Sequence, residues 1–309
     1  MITKQATANH EAWKALRHQY IGGSDAAAVV GMNAYVSPLA LWAEKTGRLP
    51  GFDGNLATEV GTYMEEFVAQ KFAEVTGKKV RRSNLSWFNS DYPWAIANID
   101  REIVGEDAGL EIKTTSELNI KRFKGGDFPA NYYCQCMHYM AVTGKKRWYL
   151  AVLIGNREFK WFVIDRDEAE IKALMEAEEA FWKLVKEDTP PAADGSASTK
   201  DTLTALYPDS NQDAIGIGAF ERDLDNYTRL KAQKDELEEQ IIEIENRIKA
   251  HLGEYERGEG EKYKVSWKTQ TRSTFDSKKF IADHPDVDVS AYYKKSNSRP
   301  FKVTEKKGA

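Results

Sequence analysis

Asp100, Glu111 and Lys113 are the residues of this chain whose types and spacing best suit chemistry on a phosphodiester. Asn98-Ile99-Asp100 is followed, after the turn-forming stretch Gly105-Glu106-Asp107-Ala108-Gly109, by Leu110-Glu111-Ile112-Lys113-Thr114-Thr115. On a strand, alternation sends Glu111 and Lys113 to one face and Leu110 and Ile112 into the core. The turn lets Asp100 lie on the preceding antiparallel strand, opposite or near Glu111. Two carboxylates held a few ångströms apart repel each other and attract a divalent cation, and an all-oxygen site suits Mg²⁺. Lys113 then stands beside the metal as a fixed positive charge. In outline this is a site for metal-dependent phosphodiester cleavage.

The pattern Glu-x-Lys alone says little, because it occurs four times, at Glu111/Lys113, Glu158/Lys160, Glu170/Lys172 and Glu305/Lys307. Glu158/Lys160 also lies in an expected strand and reads as an ordinary solvated sheet face. What it lacks is an aspartate on an adjoining apolar strand with a turn between.

Other elements must position the set. Residues 61–75 place Met64, Phe67, Val68, Phe72 and Val75 on one stripe of an amphipathic helix ended by Gly77. At about 100° per residue Glu66 falls opposite that stripe and Glu65 on its border, so Glu65 is the acid able to face the sheet. Residues 132–140 read as a second helix on which Gln135 and Tyr139 share a face. That pair is suited to hydrogen-bond a lysine, a water or a phosphate oxygen, or simply to form a patch on a half-buried helix. Near the amino end, Arg17 and the glycine turn precede Ser24, which can N-cap the alanine-rich helix after it. A helix start, a hydroxyl and a guanidinium make either a phosphate pocket or a plain cap. The glycines match neither nucleotide-binding loop pattern.

In chain order, Arg17 with Ser24, Gly61-x-x-x-Glu65, Asp100, Glu111-x-Lys113 and Gln135-x-x-x-Tyr139 resemble the lambda-exonuclease-like or YqaJ viral recombinase family. That family lies within the PD-(D/E)xK nuclease superfamily. The resemblance spans roughly residues 13 to 185, and Tyr20-Ile21-Gly22-Gly23-Ser24-Asp25-Ala26 is among its more specific parts. It implies an α/β, restriction-endonuclease-like core, with a central mixed sheet flanked by helices. It implies further that Asp100 and Glu111 ligate metal, the Ile112 carbonyl completes the shell and Glu65 supports a second ion, with Mg²⁺ the expected metal and Mn²⁺ a substitute. Lys113 then acts on the attacking water, Gln135 helps hold that geometry with Tyr139 in support, and Arg17 with Ser24 grips a terminal 5′-phosphate. The implied activity is a 5′-to-3′ double-strand DNA exonuclease of phage-type recombination. Its implied partners are DNA ends, a single-strand annealing protein and further copies in a ring-like assembly. Polarity rests only on the end-gripping role of Arg17 and Ser24. Rival readings are an endonuclease of the same superfamily, and a non-catalytic DNA-binding scaffold that recruits an annealing protein. The chain departs from compact members of the family by running on for over a hundred residues.

At 309 residues and 41% hydrophobic content the chain can bury a full core with room for an appendage. No apolar run reaches the roughly 18 residues of a membrane span, and no secretory leader is visible, so a cytoplasmic protein of a phage or prophage host is expected. Cys134 and Cys136, the only cysteines, cannot supply the four thiolates of an iron–sulfur cluster or a structural zinc site. His10, His18, His138, His251 and His284 show no metal-ligand spacing. The net charge of −4 is divided: residues 262–309 hold twelve Lys and Arg against five Asp and Glu, an excess of seven, leaving the rest of the chain at −11. The basic end is suited to follow a phosphate backbone, or is merely solvated.

A Pro-, Gly- and Ser-rich stretch marks the expected boundary, giving a nuclease domain at residues 1–188, a linker at 189–203 and a C-terminal region at 204–309. Strands at 147–154 and 159–164 extend the sheet, and a helix follows around residues 167–186. Beyond the linker, apolar residues from Phe220 to Leu252 recur at three- and four-residue steps in one long amphipathic helix, interrupted by Lys231 and Lys234, so an uninterrupted dimeric coiled coil is not expected. Residues 262–268 and 299–303 alternate like strands, so a small helix-plus-hairpin unit is expected, with Tyr263, Trp267, Tyr292 and Tyr293 as packing or base-stacking aromatics.

Overall fold

The computed structural model describes residues 1–6, 16–294 and 298–305; His10 and Lys307 lie outside them. The chain divides into two units, Met1–Tyr207 and Pro208–Ala309. The boundary differs from the expected one. Residues 197–206 form a helix, Ala197–Leu206, which buries Thr199 and Thr202. Its Ser198 Oγ accepts the Ser37 N–H at 2.9 Å, so half of the expected linker is docked on the first unit.

Two sheets, where one was expected, carry the first unit. The five-stranded sheet runs β3 (Val80–Arg82), β6 (Arg101–Ile103), β7 (Ala108–Thr115), β8 (Arg147–Ile154) and β9 (Glu158–Asp165). It is mixed, with β7 and β8 parallel and the other pairs antiparallel. The four-stranded sheet runs β1 (Ile2–Ala6), β4 (Leu85–Asn89), β5 (Ala95–Asn98) and β2 (Ile21–Gly22). The chain steps from one sheet to the other between β5 and β6, at Ile99-Asp100.

Helices cover both faces of the larger sheet. On one side α3 (Leu56–Thr76) sets Val68, Ala69 and Phe72 against Leu110, Ile112, Tyr149 and Ala151. It ends at Gly77, whose φ of +70° an L side chain rarely adopts. The stripe expected on this helix is narrower than its sequence suggests, for Phe67 and Val75 are half exposed. On the other side lie α4 (Ala130–Thr143) and α5 (Glu168–Lys186, capped by Asp167), over a larger core that includes Trp148, Leu150 and Val152. The alternation along β8, with Trp148, Leu150 and Val152 to one core and Tyr149 and Ala151 to the other, is that of a strand buried on both faces. Two short helices, α1 (Gly23–Val29) and α2 (Pro38–Lys45), complete the larger core.

In the second unit α7 (Glu221–Leu252) is the expected long helix; α6 denotes Ala197–Leu206 of the first unit. The hairpin pairs β10 (Arg257–Glu259) with β11 (Lys264–Ser266), followed by α8 (Ser277–Asp283). Residues 299–303 form no strand, which corrects the expectation; among the described residues the three-residue hairpin has no third strand. Among the described residues no helix is long and apolar enough to cross a membrane.

Candidate active site

The β6–β7 register sets Arg101 opposite Leu110 and thereby brings Asp100, one residue before β6, beside Glu111. Asp100 Oδ2 accepts the Ile112 N–H at 2.8 Å, which fixes the carboxylate across the strand junction. Leu110 and Ile112 enter the α3-side core while Glu111 and Lys113 take the opposite face, as alternation requires. Glu111 is also buried, at 2% exposure, because α4 closes over it.

Its two oxygens differ. Glu111 Oε1 takes the Lys113 ammonium at 2.6 Å and the Gln135 amide at 2.7 Å, whereas Oε2 is buried with no partner. Gln135 also donates to the Tyr139 hydroxyl at 2.8 Å, so the helical pair four residues apart holds the acid in place. Burial and the neighbouring Asp100 push the Glu111 carboxyl up to about 8, against the pull of Lys113. Asp100 is raised as well, by burial, against the pull of Lys113. Burial opposes the charge on Lys113, but Glu111 and Asp100 raise its pKa beyond the ordinary lysine range.

These groups line one cavity of about 430 Å³ together with Glu65, Ser24 and Arg17. Every sequence-derived site residue is therefore brought to one place. Glu65, on the cavity side of α3, has its pKa raised by burial and by Asp100, with Arg101 acting against the shift. Glu66 is mostly exposed, yet both acids reach the buried Arg101, at 3.7 Å for Glu65 and 3.1 Å for Glu66.

The amino-terminal part differs in detail. Gly22, and not Ser24, is the N-cap of α1, and Asp25 accepts the Gly22 N–H at 3.0 Å. The Ser24 hydroxyl instead meets the Arg17 guanidinium at 3.5 Å. Gly23 is required by packing: a Cβ there would stand 2.4 Å from the Tyr139 ring, so α1 and α4 approach only through a glycine.

Four contributors went unassigned in the sequence. Arg101 is one; its place directly after Asp100 was the available signal. Asp25 and Lys45 form a second group: Asp25 holds Lys45 at 2.7 Å and Arg17 at 3.5 Å, and Lys45 also donates to the Arg17 carbonyl at 2.5 Å. Burial penalises the Asp25 charge, but the two cations keep its pKa below the ordinary value. His138 is the last, joining Glu178 of α5 at 2.8 Å and the Ile96 carbonyl of β5 at 2.9 Å. Both partners of that ion pair are fully buried, and they tie the helix carrying Gln135 to the strand leading to Asp100.

The donor set fits a hard cation. Among the described residues no cluster of three or more His, Cys, Asp or Glu closes on one point, since Glu65 turns toward Arg101. Two carboxylates, one with an orphaned oxygen, and open cavity for water are what Mg²⁺ accepts, because it keeps several waters and binds through one or two carboxylates.

A profile of the YqaJ-like viral recombinase domain matches residues 12–146. The protein YqaJ of Bacillus subtilis (strain 168) is 35% identical over 311 residues, covering 99% of this chain and 97% of that one. The chain belongs to the YqaJ-like viral recombinase family. Among solved structures, the alkaline exonuclease LHK-Exo of Laribacter hongkongensis is 23% identical, with a TM-score of 0.49, and covers 58% of this chain and 93% of its own. The same exonuclease in complex with dAMP has a TM-score of 0.50 at the same identity and coverage. The fold is thus the PD-(D/E)xK fold of phage-type exonucleases. Residues beyond that 58% share the full-length likeness to the Bacillus protein.

Proposed function

We propose that this YqaJ-family protein is a Mg²⁺-dependent exonuclease that degrades one strand of duplex DNA from its 5′ end. It leaves a 3′ single strand for an annealing protein in phage-type recombination, in the cytoplasm of a bacterial host. The observation that carries this reading is the buried Glu111 carboxylate, whose Oε2 has no hydrogen-bond partner, among the residues that line one cavity with Asp100 and Lys113. A buried carboxylate oxygen without a donor costs free energy unless a ligand takes it up.

Asp100, Glu111 and the Ile112 carbonyl would hold one ion, and Glu65 would support a second. Bound there, the ions supply Lewis acidity toward the scissile phosphate and lower the pKa of water. Lys113 orients the attacking water and offsets the charge that develops on the phosphate. Gln135 keeps Glu111 from turning away, and Tyr139 in turn holds Gln135. Arg17 and Ser24 take the terminal 5′-phosphate, a dianion present only at an end, and Asp25 with Lys45 fixes Arg17.

Digestion of 5′-phosphorylated linear, 5′-hydroxyl linear and closed circular duplex tests the proposal. Phosphorylated ends should be consumed fastest, hydroxyl ends more slowly, and circles not at all. Loss of intact circles would instead mark an endonuclease, and no metal-dependent loss of any substrate would leave only a DNA-binding scaffold.

A further inference from the structure

Beside the catalytic cavity lies a second one of about 170 Å³. Tyr35, Tyr132, Asn119, Asn131, Arg122 and Thr115 line it, and none of its lining residues is an acid. The catalytic cavity, by contrast, carries Glu65, Asp100 and Glu111. Tyr132 connects the two: the Lys113 ammonium stands 5.5 Å from its ring centroid, and Phe123 stacks on the ring at 6.4 Å. Strand alternation points the same way. Glu111, Lys113 and Thr115 share one face of β7, so Thr115 follows Lys113 at about 6.6 Å along the strand.

Its size and lining suit a nucleobase. Clefts for whole drug-sized ligands run to about 300–1,000 Å³, so this cavity has room for one planar ring system and little more. Tyr35 offers the stacking surface. It is 76% exposed, although its loop is fixed by Asn33, whose Oδ1 accepts the N–H groups of Tyr35 and Val36 at 2.8 and 3.2 Å. An aromatic ring on a fixed loop loses little freedom when a base stacks on it. Asn119, held to Thr115 Oγ1 at 2.9 Å, and Asn131 present amides, which both donate and accept and so can meet the edge of any base. Arg122 supplies a cation for the phosphate that follows.

Two helices fix which base it takes. α1 and α4 run side by side in opposite directions: Gly23 packs on the Tyr139 ring at one end, and Met32, just beyond α1, meets the Cys134 thiol at 3.8 Å at the other. Arg17 and Ser24 belong to the first end, Tyr35 and Tyr132 to the second, and Gln135 with Glu111 lies between. A strand whose terminal 5′-phosphate sits on Arg17 and Ser24 therefore passes the scissile position before it reaches the second cavity. We propose that this cavity seats the base of the second nucleotide from the 5′ end, on the 3′ side of the scissile bond. The inference deepens the exonuclease reading and rests on it. The base held there becomes the terminal base after each cut, so the cavity keeps hold of the strand while the freed mononucleotide leaves. Stacking suits that task, because every base has a π-face and an enzyme that consumes its substrate from the end meets each base in turn.

The test is the single-turnover rate at which the full-length chain, with Mg²⁺, releases the first nucleotide of three 5′-phosphorylated linear duplexes. One is intact, one carries a tetrahydrofuran abasic nucleotide second from the 5′ end, and one carries it at the sixth position. Wild type should cut the second-position duplex about tenfold more slowly than the intact one, within what one stacked base contributes, and the sixth-position duplex at the intact rate. Tyr35→Ala should be slowed about tenfold on the intact duplex and no further by the second-position lesion, because the base and its platform act as one interaction. Tyr35 is exposed, so the core should survive its loss, and an unchanged melting temperature checks this. Equal or faster cutting of the second-position duplex by wild type would overturn the inference and leave the exonuclease reading in place. So would losses that multiply to about a hundredfold when the lesion and Tyr35→Ala are combined, the mark of independent effects. No cutting of the intact duplex by wild type would overturn both.

Discussion

Burial of Glu111 and its proximity to Asp100 both favour its protonated form in the absence of a cation, against the pull of Lys113. Its folded pKa of about 8 lies above the ordinary 4.5, so between those values the folded state binds more protons than the unfolded state. Stability of the metal-free protein is therefore expected to fall as pH rises through that window, and Glu111→Gln should flatten the dependence. Denaturant titrations at pH 5 and pH 8 measure it; an equal slope in the two proteins would show that Glu111 is not the titrating group. Metal binding releases that proton, so Mg²⁺ affinity should rise over the same window. Glu65→Ala should reduce cleavage more than Glu66→Ala, because only Glu65 lines the cavity although both touch Arg101. Equal losses would mean that both act through Arg101. Arg17→Ala should slow digestion of phosphorylated ends by roughly ten- to a hundredfold and leave hydroxyl ends less affected, since a charge-assisted hydrogen bond contributes about 1.5–3 kcal/mol. Equal slowing on both ends would assign Arg17 a general structural part. At this scale the sequence was informative where the pattern is local: strand alternation placed Glu111 and Lys113, and helical spacing paired Gln135 with Tyr139. Asp25 and Lys45 were not legible, because no period connects them across their separate elements, and Arg101 carried only its place directly after Asp100 as a signal.

Between elements, the His138–Glu178 pair is the main polar tie inside the larger core. Burial opposes a charge on His138, but Glu178 raises its pKa, so the stability it adds is fully present below the ordinary 6.5 and is lost as pH rises through the folded value. Glu178→Gln removes one partner of a buried pair and should destabilise the protein by about 3–5 kcal/mol, as for other broken buried pairs. A loss under about 1 kcal/mol would show that His138 is neutral there. The amphipathic helices and the strands at 147–154 and 159–164 were readable from period alone. The second sheet was not, because β1 is wholly exposed and β2 has only two residues, too short for any alternation to register. The Ala197–Leu206 helix was hidden by its flanks: the prolines and serines that suggest a linker end just where Ser196 caps it.

For the whole molecule, the structural boundary after Tyr207 sets every proposed catalytic group in the first unit. A chain ending at residue 207 should retain metal-dependent cleavage of short duplexes. It should lose salt-sensitive affinity and processivity on long ones, if the basic excess of residues 262–309 follows the phosphate backbone. Unchanged processivity and salt dependence would remove DNA binding from the second unit's duties. The charge division, the long helix and its apolar stripe were legible in the sequence, whereas the structure was needed to show which residues of that stripe lie bare.

The most direct measurement is the rate of single-turnover cleavage of a 5′-phosphorylated linear duplex with Mg²⁺, compared between wild type and Lys113→Ala. Lys113 touches the Glu111 carboxylate, lines the cavity and contributes little to either core, so its loss should leave the fold intact. The rate should drop on the order of a thousandfold, the scale of removing one positioned electrostatic stabiliser. Cleavage by Lys113→Ala at close to the wild-type rate would contradict the assignment of Asp100, Glu111 and Lys113 as the active site.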